Sequence, residues 1–425
     1  MKKALIITYY WPPAGGSGVQ RWLKFVKYLR NFEIEPVVYT VQNPNYPITD
    51  ESLKNDIPEE IEVLTQPIWE PNNVLSFFGK KKQESAGFLN PNPSFFGKIV
   101  QYVRANYFIP DARKFWIKSS AKYLKNYLKE NKIDVLITTG PPHSMHLIGL
   151  QLKEQLGMKW IADFRDPWTE IDYFYQLPLT KTAIKKHHFL EEKVLKNADA
   201  VIVVGDSMNQ SYKLFNKNTF TITNGFDADI SDENVALDSK FSLTHIGLMN
   251  ADRNPKMLWE VLSKIIAENE DFKNDFQLKL IGKIDATVLR DISNFQLSNN
   301  VQVIDYVSHD EVIEFQKKSQ VLVLIVNNVP SAKAIITGKI FEYLMAKRPI
   351  LAIAPTNGDL QEIISKTNSG TVVNFDDSKH LKRVILDLYA KFKQNNLTVT
   401  SENIQQYHRK ELTKKLSEII FKITK

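Results

Sequence analysis

Short runs of branched apolar residues alternate along this chain with longer stretches whose apolar positions recur every three to four residues. The short runs have the length of strands buried on both faces, and the longer ones read as amphipathic helices. The pattern therefore predicts βαβ units and parallel sheets. Lys3–Tyr9 reads as a first strand, Val19–Arg30 as the helix after it, and Pro36–Thr40 as the second strand. Helices over Asp111–Asn131, His143–Gln155 and Thr180–Asn197 then intervene between strands at Asp134–Thr138, Lys159–Asp163 and Ala200–Val204, with Phe220–Ile222 last. The alternation restarts with strands at Leu243–Met249, Gln277–Ile281, Val301–Ile304, Gln320–Val326, Ile350–Ala354 and Thr371–Val373. Helices over Pro255–Ala267, Ala286–Phe295, Asp310–Lys317, Gly338–Ala346 and Asp359–Ser365 separate them, and Ser378–Gln394 and Ser401–Ile423 close the chain. Gln42–Pro110 shows little periodicity and receives no element.

This order predicts an α/β chain of two Rossmann-like, doubly wound domains facing each other across a cleft, since open sheets of this kind bind ligands beyond the carboxyl ends of their strands. Residues 1–228 form the expected first domain and 229–400 the second. Residues 401–425 form a final helix. A chain of 425 residues is long enough for two cores.

Composition changes the picture in three places. Hydrophobic residues at 43% and charged residues at 24% are globular proportions, which excludes a disordered chain. Cysteine is absent, which excludes disulfides and thiolate metal sites and suits a reducing, cytoplasmic setting. The opening MKKALIITYYWPP reads as a strand and not a signal peptide, because Pro12-Pro13 follow a short apolar run. The net charge of +7 is unevenly spread: Lys80–Lys132 holds twelve basic residues against three acidic ones. That segment also holds aromatics, and Ser-Phe-Phe-Gly-Lys occurs at residues 76–80 and again at 94–98. A basic, aromatic stretch over residues 76–132 suggests an anionic membrane surface as partner, with the chain peripheral on its inner face. The alternative is a helix with a solvated lysine face. It matches no nucleic-acid module, so nucleic acid is not expected.

Candidate chemistry lies at predicted strand ends. Gly15 and Gly16, in the loop between the first strand and its helix, allow a ligand to approach the backbone, or simply make a tight turn. His143 follows a strand as part of Thr139-Gly140-Pro141-Pro142-His143 and suits a sugar hydroxyl or a proton shuttle. With His146 it has a metal-like spacing, but no carboxylate or cysteine completes a site, so no metal is expected. Asp163, Arg165 and Asp166 suit polyol contacts or a local ion network. Arg253 and Lys256, at the start of a predicted helix, suit a diphosphate or a solvated pair. Thr337, Gly338 and Lys339 open another helix and make an anion site. Glu342 stands one turn on, where a carboxylate can accept both hydroxyls of a ribose, or end in a salt bridge.

The ordered set of segments resembles family 4 of the glycosyltransferases over nearly the whole chain. Its marks are the early Gly-Gly-Ser-Gly loop, Ala198–Val204, Asn224-Gly225-Phe226-Asp227, Leu280-Ile281-Gly282 and Phe341–Pro349. The resemblance implies a GT-B fold, a nucleotide-sugar donor on the second domain and a glycan or lipid-linked acceptor on the first. It also implies retention of configuration, no required metal or cofactor, and a role in cell-surface polysaccharide synthesis. By position it makes Glu342 the ribose ligand, with Gly15, Gly16, Gly282, Thr337 and Gly338 bordering the donor. His143 would touch the transferred sugar, and Arg253 with Lys339 would meet the leaving phosphate, Lys339 substituting for the more closely spaced Lys256. The last helix would cross back to the first domain. One departure stands out: where the family often carries a second Glu, eight residues before the ribose ligand, this chain has Ala334. A nucleotide-sugar 2-epimerase of the same fold and a catalytically silent binding protein are the alternatives.

Overall fold

The computed structural model describes residues 1–42, 44, 46, 48–70, 95–227 and 235–425. The chain divides into two compact units, Met1–Asp227 with Arg409–Lys425, and Ala228–His408.

The first unit is built on β1 (Lys2–Ile7), α1 (Ser17–Leu29), β2 (Ile34–Gln42), β3 (Glu62–Pro67), α2 (Phe95–Tyr107), α3 (Trp116–Glu130), β4 (Val135–Gly140), α4 (Ser144–Leu156), β5 (Trp160–Phe164), α5 (Lys181–Asn197), β6 (Ala200–Val203), α6 (Asp206–Lys213) and β7 (Thr219–Thr221). Its strands lie in the order β3-β2-β1-β4-β5-β6-β7, all parallel. Alternation along each central strand supplies both cores: Leu5 and Ile7 join Leu136, Val201 and Val203 on one face, while Ala4 and Ile6 join Val135, Ile137 and Ile202 on the other.

The second unit contains β8 (Phe241–Ile246), α7 (Lys256–Glu268), α8 (Glu270–Asp275), β9 (Phe276–Ile281), α9 (Ala286–Asn294), β10 (Val301–Ile304), α10 (His309–Lys318), β11 (Val321–Ile325), α11 (Lys339–Met345), β12 (Ile350–Ile353), α12 (Asp359–Lys366), β13 (Gly370–Val373) and α13 (Ser378–Lys393). The parallel order is β10-β9-β8-β11-β12-β13. The chain then returns to the first unit as α14 (Arg409–Ile423), whose Leu412, Leu416, Ile419 and Ile420 enter the same core as Trp22, Leu23 and Val26 of α1.

Several expected elements shift. The Asp111–Asn131 helix is broken, because the Asp111 carboxylate accepts from the Arg113 N–H and caps a separate 3-10 turn, Ala112–Phe115, before α3 starts. The closing helix starts at Arg409, not Ser401, after a 3-10 turn at Ile404–Tyr407 that belongs to the second unit. The stretch left without elements holds β3 and α2, and α6 went unread as well. The first Ser-Phe-Phe-Gly-Lys copy and residues 80–94 of the basic segment lie outside the described residues. Among those described, no helix is long and apolar enough to cross a membrane.

Candidate functional site

In the second unit β8 and β9 end side by side, and each is followed by a glycine in the left-handed region, Gly247 at φ 106° and Gly282 at φ 108°. A Cβ on Gly282 would stand 3.2 Å from the Gly247 backbone, and a Cβ on Gly247 only 2.8 Å from Cε and Nζ of Lys339. Two strand-end loops thus touch backbone to backbone, with the lysine that opens α11 laid against the first of them. Only glycine meets both demands, the positive φ and the close approach.

Lys339 Nζ sits 3.4 Å from His245 Nε2. His245 Nδ1 is 3.1 Å from the Val323 carbonyl, which accepts its proton and leaves Nε2 as an acceptor. Burial drives His245 well below its usual pKa, so the imidazole is neutral. Burial also lowers Lys339 to about 7, helped by Arg253 and opposed by Glu342. Arg253, on the 3-10 turn Ala251–Arg253, donates from Nε to Asn327 Oδ1 at 2.9 Å and from Nη1 to the Leu248 carbonyl at 3.3 Å. Burial weakens its hold on its proton too. Among the described residues neither cation is paired with a carboxylate. The side-chain oxygens of Asn250 and Thr337 are also buried without partners. Two partly desolvated cations and spare polar groups beside two glycine turns suit a compact anion such as a diphosphate.

Glu342 lies one turn along α11, where one carboxylate oxygen accepts from Gln316 Nε2 at 3.2 Å. Gly338 precedes the helix and is exposed. Lys256 does not join Arg253: it is exposed on α7 and paired with Asp291 at 3.3 Å. Ala334 ends a 3-10 turn in which its own N–H and that of Ile335 are already bonded to the carbonyls of Ser331 and Ala332. Those two amides have no capacity left for a sugar.

In the first unit Gly15 and Gly16 have structural work. A Cβ on Gly15 would press to 2.8 Å from Ile48, and Gly16 has φ 88° just before α1. The Arg165 guanidinium ties the first turn of α1 to the end of β4, donating to the carbonyls of Gly18 at 2.6 Å and of Gly140 and Pro141. Asp163 is fully buried and receives Arg21 at 2.8 Å, Trp22 Nε1 at 2.7 Å and Thr139 at 2.9 Å. A carboxylate so enclosed holds the sheet to α1, which is the local ion network among the two expected readings of this residue. Asp166 alone of this trio is exposed.

His143 stacks on Trp168 at 4.7 Å with the rings nearly parallel, and its Nδ1 is buried without a partner. Burial, then the charges of His146, Arg165 and His187, hold it well below its usual pKa. Its imidazole is therefore neutral. His146 is deeper, bonded through Nδ1 to Thr138 Oγ1 at 2.9 Å and lowered to about 3 by burial. It belongs to the core. Sequence reading missed Gly247, His245 and Asn327; a glycine directly after β8, as Gly282 follows β9, was the available signal.

Residues 240–391 match the family model described as Glycosyl transferases group 1, and this match lies on the second unit. Among curated proteins none matches in sequence. In structure the chain is similar to sucrose-phosphate synthase from Thermosynechococcus elongatus, at 16% identity, TM-score 0.58 and coverage of 100% and 97% of the two chains. It is similar at 13% identity and TM-score 0.58 to a mutant of S. aureus TarM crystallised with Fondaparinux, alpha-GlcNAc-glycerol and UDP, covering 99% and 100%. A putative UDP-N-acetylglucosamine 2-epimerase from Listeria monocytogenes matches at 10% identity and TM-score 0.55, covering 98% and 95%. The two parallel Rossmann-like sheets are those of the GT-B fold.

Proposed function

We propose that this chain is a glycosyltransferase that moves a sugar from a nucleotide-sugar donor to a glycan or lipid-linked acceptor, with retention of configuration, in cell-surface polysaccharide synthesis in the cytoplasm. The observation that carries it is the Lys339–Arg253 pair above the Gly247 and Gly282 turns, inside the stretch that matches group 1 glycosyl transferases. Such a pair suits the diphosphate of a donor, and Glu342 stands where it can accept the ribose hydroxyls. In the reaction the bond from the anomeric carbon to phosphate breaks, and the acceptor oxygen bonds to that carbon on the same face. The acceptor's proton passes to the departing phosphate oxygen. Arg253 and Lys339 stabilise the charge that develops there and supply the neutralisation a metal would otherwise give. Neutral His143 suits a sugar hydroxyl. No glutamate is needed at position 334 for phosphate departure, so an active enzyme is expected and not a silent binder.

The reading is tested by a thermal-shift screen of nucleotide sugars, since a ligand at 100 times its Kd stabilises by about 2.7 kcal/mol. The matching donor should bind Glu342→Ala about 10- to 100-fold more weakly, the loss of a charged hydrogen bond. No stabilisation by any nucleotide sugar would contradict it. Product analysis separates transfer from the epimerisation that the Listeria protein's description suggests for that relative.

A further inference from the structure

Helix α2 packs against the start of α5, where its Asn106 amide donates to the Pro178 carbonyl at 2.8 Å and its Oδ1 accepts from the Thr180 N–H at 2.7 Å. Anchored there, the helix turns large apolar side chains outward: Phe95, Ile99, Tyr102, Val103 and Tyr107 are all exposed. Their spacing places them on one arc, while Lys98 and Arg104, also exposed, fall on either side of it. This inverts the usual surface helix, whose outward face is polar. The patch continues into Phe115 and the exposed Trp69, packed edge to face at 4.8 Å. Lys114 lies over the rings of Phe108 and Phe115. On the neighbouring α5, Lys181, Lys185 and Lys186 are exposed beside Phe189. Between Phe95 and Pro110 there is no acidic residue.

We infer that this face of the first unit docks on a lipid surface bearing anionic headgroups, with the apolar arc of α2 entering the interface and Lys98, Arg104 and Lys114 meeting phosphates at its edge. An outward apolar arc bounded on both sides by cations complements a membrane, which is apolar in its interior and negative at its rim. A second copy of this chain would bring the same cations against one another. The inference deepens the lipid-linked acceptor reading. Docking needs neither donor nor acceptor, so the two are tested apart.

The test is co-sedimentation of the full chain, without nucleotide sugar, with phosphatidylcholine vesicles and with vesicles of phosphatidylcholine and phosphatidylglycerol in equal parts. The protein pellets with the mixed vesicles and not with the neutral ones. Ile99→Asp with Tyr102→Asp, and separately Lys98→Glu with Arg104→Glu, each weaken that binding about tenfold or more. Circular dichroism and the unfolding midpoint confirm that these exposed positions leave the fold intact. Equal sedimentation with both vesicle types, or binding unchanged in both variants, overturns the proposal. So does concentration-dependent self-association that the Ile99→Asp and Tyr102→Asp variant loses while vesicle binding is absent, which assigns the face to a second copy.

Discussion

A lysine buried beside an arginine, with no carboxylate among the described residues paired to either, costs a folded chain stability while it remains charged, and Lys339 is held in that position. Its folded pKa is lowered by burial to about 7, below the ordinary lysine value. The folded state thus binds fewer protons than the unfolded one between those values, and stability conferred at this residue rises as pH climbs through that range. Lys339→Met removes the cost, so its stability advantage over the parent is fully present below about pH 7 and fades above it; denaturant titration at several pH values checks this. A bound diphosphate acts oppositely, because it favours the protonated amine. Nucleotide-sugar affinity therefore holds below about pH 7 and falls above it in the parent, and loses that dependence in Lys339→Met. Asp163 is the contrasting case. Burial would raise its pKa, but Arg21, Trp22 and Thr139 hold it below the usual carboxylate value. Removing it in Asp163→Ala strands Arg21 next to buried Arg409, and should cost about 3–5 kcal/mol by equilibrium unfolding. At this scale the sequence showed Lys339, Arg253, Gly282 and Glu342, because each follows a legible strand or opens a legible helix. It could not show that His245 and Gly247 meet Lys339, since that contact joins positions over ninety residues apart. Nor could it show that Asp163 points inward, since strand-end residues of either orientation read alike.

Elements were legible in proportion to how they are buried. Strands such as β1, β4 and β11 lie inside their sheets and read as short apolar runs, Ala-Leu-Ile-Ile, Val-Leu-Ile and Val-Leu-Val-Leu-Ile. β3 is an edge strand with several exposed residues, and its Glu-Val-Leu-Thr-Gln-Pro carries little apolar signal. α2 was hidden for the reverse reason, its apolar residues facing outward where no core demands them. α6, Asp-Ser-Met-Asn-Gln-Ser-Tyr-Lys, is too polar for periodicity to reveal. The return of α14 to α1 rests on packing that can be measured directly. Leu416 is fully buried in the core it shares with Trp22 and Leu23, so Leu416→Ala should destabilise by about 2–5 kcal/mol in denaturant unfolding. A cost below about 1 kcal/mol would mean that α14 is not anchored there.

At the scale of the whole molecule, the chain holds two Rossmann-like units whose strand ends carry different equipment. The second carries Arg253 and Lys339, paired with no carboxylate among the described residues, beside glycine turns. The first carries neutral His143 and the apolar, basic face of α2. In the proposed reaction Arg253 and Lys339 stabilise a departing nucleoside diphosphate, and Ala334 plays no part in that step. This is read from the rate of nucleoside-diphosphate release from the nucleotide sugar that stabilises the chain, in the parent and in Arg253→Ala, Lys339→Ala and Ala334→Gly. The first two substitutions should each slow release about 10²- to 10³-fold, the usual loss of one preorganised donor to a developing charge, while the third leaves it within a few-fold. Tight donor binding by the parent with no release, or equal rates in all four proteins, would contradict it.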